Sequence, residues 1–99
     1  MAEREILALR QEMTITREEF LRLLPAAVDR ANLRVDGDEI HPCDGNPDWR
    51  IVLSALDDLR LGAIRLPRQR VELYFTGDDA DERRRFLARF ELYYRRAGG

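Results

Sequence analysis

The sequence has 99 residues, a length typical of one small domain, and its 44% hydrophobic content argues against disorder. A single cysteine excludes an internal disulfide, no apolar run approaches the ~20 residues of a membrane helix, and the N-terminus lacks the pattern of a signal peptide. All 17 basic residues are arginine, a bias that favours a GC-rich bacterial genome, so we expect a bacterial cytoplasmic protein.

The first twelve residues carry a weak pattern. Ile6, Leu7 and Leu9 stand among charged residues and predict at most one or two helical turns. Met13 offers a second possible start. We therefore interpret residues 1–12 as a dispensable leader or frayed extension, and residues 13–99 as a single α+β domain.

A helix is predicted after Thr16, which forms a capping box with Glu19. The apolar residues that follow recur at helical spacing over residues 20–31. Pro25 interrupts this pattern. Either a first helix ends near Leu23 or Leu24 and a second begins at Pro25, or one kinked helix spans both.

The next segment predicts a small hairpin and a loop. Asp36-Gly37 is a strong two-residue turn between residues 33–35 and 38–40. Residues 41–48 are rich in turn residues and predict a loop. This loop places His41 near Cys43, a combination found in nucleophilic and metal sites. Because no second Cys or His exists, we favour a structural loop and predict no catalytic residue, metal or cofactor.

A three-stranded antiparallel meander is predicted over residues 49–75. Alternating apolar residues indicate strands at 49–56, 59–66 and 69–75, with turns at Asp57-Asp58 and Pro67-Arg68. This register collects the residues Trp49, Ile51, Ile64 and Val71 on one face.

The same register has consequences for the other face. Arg50, Arg65 and Arg70 would lie side by side, and like charges directly opposite one another destabilise a sheet. Internal carboxylates or an external anion would have to offset them. Leu59 and Leu61 would also point outward, which predicts either cover by residues 16–31 in a three-layer α/β/α arrangement or a protein-binding surface.

A C-terminal helix is predicted after Thr76-Gly77, with Asp78 or Asp79 as its cap and Glu82 completing a capping box. Its apolar stripe, Phe86, Leu87, Phe90, Tyr93 and Tyr94, is expected to pack on the sheet. The residues Arg85, Arg89 and Arg96 share one flank of this helix. They are candidates for binding a phosphate backbone, although basic residues near a helix C-terminus also compensate its dipole.

The sequence thus predicts an α+β domain with an N-terminal helix, a small hairpin, the meander and a C-terminal helix. No family is identifiable from its residues. We expect a non-enzymatic module that binds a protein partner or a second copy of itself. The alternative is a nucleic-acid or anion-binding domain that uses the clustered arginines; no membrane interaction is expected. The candidate binding residues are Arg50, Arg65, Arg70, Arg85, Arg89, Arg96, Leu59 and Leu61.

Overall fold

The computed structural model describes residues 5–43, 49–76 and 79–96. Its strands and helices follow one another as β1 (Glu5–Met13), α1 (Arg17–Ala27), β2 (Leu33–Asp36), β3 (Glu39–Pro42), β4 (Trp49–Leu61), β5 (Ile64–Thr76) and α2 (Ala80–Arg96). The strands form one antiparallel sheet in the order β1-β5-β4-β3-β2. The predicted α+β class is confirmed, but the small hairpin and the strands after it belong to a single five-stranded sheet.

β1 lies where the sequence suggested a leader or frayed extension. The strand pairs with β5 along one edge of the sheet, from Glu5 opposite Thr76 to Met13 opposite Gln69. Met13 is only 2% exposed, so the end of the strand reaches the core. The predicted helical turns are absent from residues 5–12 because pairing with a distant strand outweighs local propensity.

α1 begins at the predicted cap, where the Thr16 Oγ1 accepts a 3.0 Å hydrogen bond from the Glu19 N–H. One helix continues through Pro25, so it does not end at Leu23 or Leu24. Pro25 lies in the last turn, where the loss of one backbone donor disturbs only the end of the helix. The Val28 N–H then donates to the Leu24 carbonyl at 3.0 Å.

β2 and β3 form the predicted hairpin with its turn one residue further along. Asp36 pairs with Glu39, so the turn residues are Gly37 and Asp38. Gly37 has φ +63°, a left-handed conformation that glycine adopts without steric cost. The predicted loop follows β3, and its residues 44–48 lie outside the described residues.

The predicted meander is wrong, because β4 and β5 form one long hairpin. Each strand has 13 residues, and the chain reverses at Gly62-Ala63, where Gly62 has φ +62°. Neither predicted turn exists. Asp57-Asp58 forms a β-bulge opposite Pro67. Pro67 is tolerated there because a bulge interrupts the ladder and needs no hydrogen bond from that residue.

α2 begins after its predicted cap, and the Asp79 Oδ1 accepts a 3.0 Å hydrogen bond from the Glu82 N–H. Its apolar stripe packs on the sheet as predicted: Phe90 and Tyr94 are buried, and the Phe86 ring lies 5.5 Å from that of Trp49. Of the sheet residues predicted to receive it, Trp49, Ile51 and Val71 are buried, whereas Ile64 is 59% exposed because the true register places it beyond the core.

Both helices lie on the same side of the sheet, which we call the helix face; the opposite side is the open face. The Phe20 ring of α1 stacks on Tyr94 of α2 with 4.6 Å between centroids, and the Tyr94 hydroxyl donates to the Phe20 carbonyl at 2.8 Å. Burial raises the pKa of the Tyr94 phenol. The expected α/β/α arrangement is therefore wrong, and α1 leaves the open face uncovered.

Candidate protein-binding surface

The β4–β5 hairpin extends beyond the rest of the sheet. β1 pairs with β5 only as far as Gln69, and β3 pairs with β4 only at Ile51 and Val52. Residues 55–68 therefore form a two-stranded projection, which we call the arm. The arm is consistent with the elongated shape of the molecule, whose principal extents are 51 × 25 × 23 Å.

One side of the arm is apolar. Directly opposed residues share a side of a sheet, and side chains alternate along each strand. The pairs Leu59–Leu66 and Leu61–Ile64 therefore lie on the side that continues the open face. Leu56 joins them at the root of the arm, opposite Arg68. We call Leu56, Leu59, Leu61, Ile64 and Leu66 the apolar side of the arm.

This side is accessible to a partner. Ile64 and Leu61 are 59% and 56% exposed, the highest values among the large hydrophobic side chains that the structure describes. Leu56, Leu59 and Leu66 are half-buried. Adjacent exposed aliphatic side chains of this kind are typical of interaction sites, whereas single exposed apolar residues are not. The prediction that Leu59 and Leu61 share an outward surface therefore agrees with their placement.

The other side of the arm carries two arginines. Arg60 lies directly opposite Arg65, and both are exposed. Within the described ranges, neither forms an ion pair. Asp57 and Asp58, also exposed, follow in the bulge and lower the local positive charge. The arm is thus amphipathic over its outer part, where Leu59, Leu61, Ile64 and Leu66 lie on one side and Arg60 and Arg65 on the other, while Arg68 shares the aliphatic side at the root.

The open face next to the arm is covered by ion pairs. Arg10 donates to Glu72, with 2.9 Å between Nη2 and Oε2, and Glu12 accepts from Arg68 at 3.2 Å. The carboxylate of Glu12 also lies 3.7 Å from the guanidinium of Arg70. These charges satisfy one another within the sheet.

Arg50 is the most extensively bound cation of this face. Its Nε and Nη2 donate to the two carboxylate oxygens of Glu5 at 3.0 and 2.9 Å, and its guanidinium lies 4.4 Å from the centroid of the Tyr74 ring. Glu39 lies 3.7 Å away. The hydrogen bond from Arg50 lowers the pKa of the Glu5 carboxyl, and the pKa of Arg50 is raised in turn.

The predicted row of arginines is therefore wrong. Arg50 lies opposite Tyr74, Arg65 opposite Arg60, and Arg70 opposite Ser54. The prediction relied on turns at Asp57-Asp58 and Pro67-Arg68 that do not exist, so it paired the residues of β4 and β5 with the wrong partners. Like charges do meet across the hairpin, but at the pair formed by Arg60 and Arg65.

Of the α2 arginines predicted to share one flank, Arg89 has a structural role. Arg89 donates to the Ala26 carbonyl at 2.8 Å and lies 5.2 Å from the Tyr93 ring centroid, so it joins α2 to the end of α1. Arg85 is exposed, and the side chain of Arg96 lies outside the described part of the chain. Among those whose side chains are described, Arg89 is therefore engaged in packing between the helices, whereas Arg85 is exposed.

His41 and Cys43, the pair considered for a nucleophilic or metal site, have different surroundings. His41 lies on β3, with its Nδ1 3.1 Å from the Pro42 carbonyl, and Cys43 is exposed with a free thiol. In residues 5–43, 49–76 and 79–96, no group of three or more His, Cys, Asp or Glu side chains is arranged to hold a metal. Neither described helix is long and apolar enough to cross a membrane.

The sequence contained a signal for the arm. Apolar residues are placed almost as mirror images about Gly62-Ala63: Leu61 with Ile64, Leu59 with Leu66, Leu53 with Val71 and Ile51 with Leu73. A glycine at the centre of such a pattern is typical of a hairpin. Comparison with known proteins assigns no family: no protein-family model matches the chain, and no curated protein or solved structure matches it significantly.

Proposed function

We propose that this protein is a non-enzymatic, cytoplasmic binding module that docks a protein through the apolar side of the arm. The single observation that carries the proposal is the exposure of Leu61 and Ile64 at the end of a hairpin that no other described element covers. A two-stranded hairpin is at best marginally stable by itself in water. Contact with another protein would bury its aliphatic side chains and order it.

The arrangement of charges supports a protein partner rather than a polyanion. Arg50 and Arg70 are already held by carboxylates, and Arg89 by a backbone carbonyl. Phosphate backbones are bound by clusters of cations that are free to replace counterions. The outer part of the apolar side, Leu59, Leu61, Ile64 and Leu66, carries no charge, which suits it to a dehydrated protein interface.

Affinity capture with matched variants tests this proposal. Leu61→Glu combined with Ile64→Glu places two charges on the apolar side, and we expect specific partners to be lost. Leu92→Glu is the control, because Leu92 is 46% exposed on α2, away from the arm. Partners that remain bound to the arm variant as well as to the control would contradict the proposal.

A second candidate function is nucleic-acid or anion binding by Arg60 and Arg65, which face each other without an ion pair among the described residues. Fluorescence anisotropy with a labelled oligonucleotide separates the two candidates. Phosphate binding should weaken steeply and linearly in log–log terms as salt increases. Binding that depends on Arg60 and Arg65 and fades with salt would favour this second function over the first.

A further inference from the structure

We infer that the partner docked by the apolar side of the arm is a second copy of this chain, stacked face to face about a twofold axis near Leu59 and Leu66. This inference rests on the proposed function, because it names the occupant of the same surface. In such an isologous contact the same residues serve both copies. The apolar sides would meet as two ribbons about 10 Å apart.

The shape of the molecule permits this stack. Both helices lie on the helix face, so no described element rises from the open face to obstruct a second sheet. With the two arms antiparallel, the tip of one copy lies over the root of the other. The parts of the two molecules outside their arms are then displaced from each other along the arm direction, so they do not collide.

The apolar side is complementary to itself under this symmetry. Leu59 and Leu66 form its centre, Leu61 and Ile64 lie toward the tip, and Leu56 lies toward the root. A twofold rotation about the centre therefore places the tip aliphatics of one copy over Leu56 of the other. Arg68, opposite Leu56, is the one charged residue on this side of the arm, and it is not left without a partner, because it donates to the Asp57 carbonyl at 2.8 Å and to Glu12 at 3.2 Å.

The charges around the contact also favour a like partner. Arg60 and Arg65 occupy the opposite side of the arm and remain in solvent when the apolar sides meet. From the root of the arm onward, the open face as described balances five arginines against five carboxylates, which are Arg10, Arg34, Arg50, Arg68 and Arg70 with Glu5, Glu12, Asp36, Glu39 and Glu72. A surface of zero net charge around the contact neither repels a second copy nor attracts a polyanion.

The size of the contact predicts a weak dimer. From strand geometry the arm is about 23 Å long and two strands are about 10 Å wide. That area is smaller than the roughly 800 Å² per partner of a stable interface. The dissociation constant of the dimer should therefore lie in the micromolar to millimolar range.

Sedimentation equilibrium on the full chain tests the inference. Cys43→Ser is introduced throughout, because the exposed Cys43 thiol could otherwise form an intermolecular disulfide. We expect the mass to rise from one chain to two with concentration. Leu61→Glu with Ile64→Glu should weaken dimerisation by at least about 100-fold, since unpaired charges are costly to bury. The control, Val35→Glu with Leu92→Glu, changes residues that are 47% and 46% exposed outside the arm and should dimerise normally.

Cysteine crosslinking in the same background tests the geometry. Leu66→Cys lies near the proposed twofold axis and should crosslink two copies under oxidation, whereas Ala63→Cys at the tip should not, because the two tips point apart. Circular dichroism would confirm that each variant folds. A chain that stays monomeric, a dimer that survives the arm variant, or preferential crosslinking at Ala63 would each overturn the inference. Arm-dependent capture of a different protein by a monomeric chain would leave the proposed function standing and overturn only self-association.

Discussion

The contact between Phe20 and Tyr94 provides a direct energetic test of the placement of α1. Both side chains are almost fully buried, at 0% and 1% exposure, and their rings stack at 4.6 Å. Replacing either ring by leucine removes this contact while keeping an apolar side chain. Stacked aromatic pairs contribute about 0.5–1.5 kcal/mol beyond the area they bury. We therefore expect the Phe20→Leu and Tyr94→Leu effects to be non-additive by about that amount.

The measurement is a double-mutant cycle from urea unfolding, with the slope of each transition checked for constancy. The control cycle combines Phe20→Leu with Leu92→Ala, which changes an exposed residue on the same helix as Tyr94. Distant sites usually add within about 0.3–0.5 kcal/mol, and we expect this result for the control. Additivity of the Phe20 and Tyr94 substitutions would contradict their contact, and with it the placement of α1 beside α2 on the helix face.

Three further outcomes follow from the structure. Deleting residues 1–12 should lower the urea midpoint, because it removes most of β1 and opens the edge of β5; an unchanged midpoint would support the leader interpretation. Gly62→Ala should cost about 1–2 kcal/mol within the arm and accelerate hydrogen exchange there, while Gly62→Asn should cost less, since space is open around a Cβ and only the left-handed backbone opposes it. In an NMR titration the Glu5 carboxyl should have a pKa below its ordinary value, and Arg50→Gln should raise it. The stability that this lowered pKa confers is present above the unfolded-state value of about 4.3 and is lost as pH falls through the folded-state pKa.

Local signals predicted the helices well. The caps at Thr16 and Asp79 are hydrogen bonds from a backbone N–H to a side-chain oxygen three residues earlier, so sequence spacing is enough to locate them. The stripe of α2 is also local, since its members repeat every three or four residues. By contrast, the sheet face chosen by α1 depends on the ring of Tyr94, which is 74 residues from Phe20. No spacing within α1 encodes that choice.

The strands were harder to predict for the same reason. β1 is held by pairing with β5, and a register irregularity between Leu7 and Leu9 breaks the alternation that would have indicated a strand. The predicted arginine row was wrong because Asp57-Asp58 and Pro67-Arg68 have residue types typical of turns but lie within strands. Assigning turns there gave a wrong register. Of the candidate binding residues, Leu59 and Leu61 remain on one surface because their shared side depends on alternation along one strand rather than on the turn.

The bulge explains how those residues reach the open face. Trp49, Ile51 and Leu53 of β4 point to the helix face, so strict alternation would send Leu59 and Leu61 there as well. Asp57 and Asp58 together oppose one residue, Pro67, and this extra residue turns Leu59 and Leu61 to the open face beside Leu66 and Ile64.

The bulge yields a test of the apolar side that introduces no charge. Deleting Asp58 alone leaves one residue opposite Pro67. This restores a regular ladder to which Pro67 cannot donate and lowers the stability of the arm, but Leu59 still faces Leu66, so self-association should persist. Deleting both Asp57 and Asp58 shifts the remaining residues of β4 by one position, and a shift of one residue moves every side chain to the other side. The leucines would then be separated from Ile64 and Leu66, and sedimentation should show a monomer. If the single deletion abolished the dimer and the double deletion preserved it, the apolar side could not be the contact.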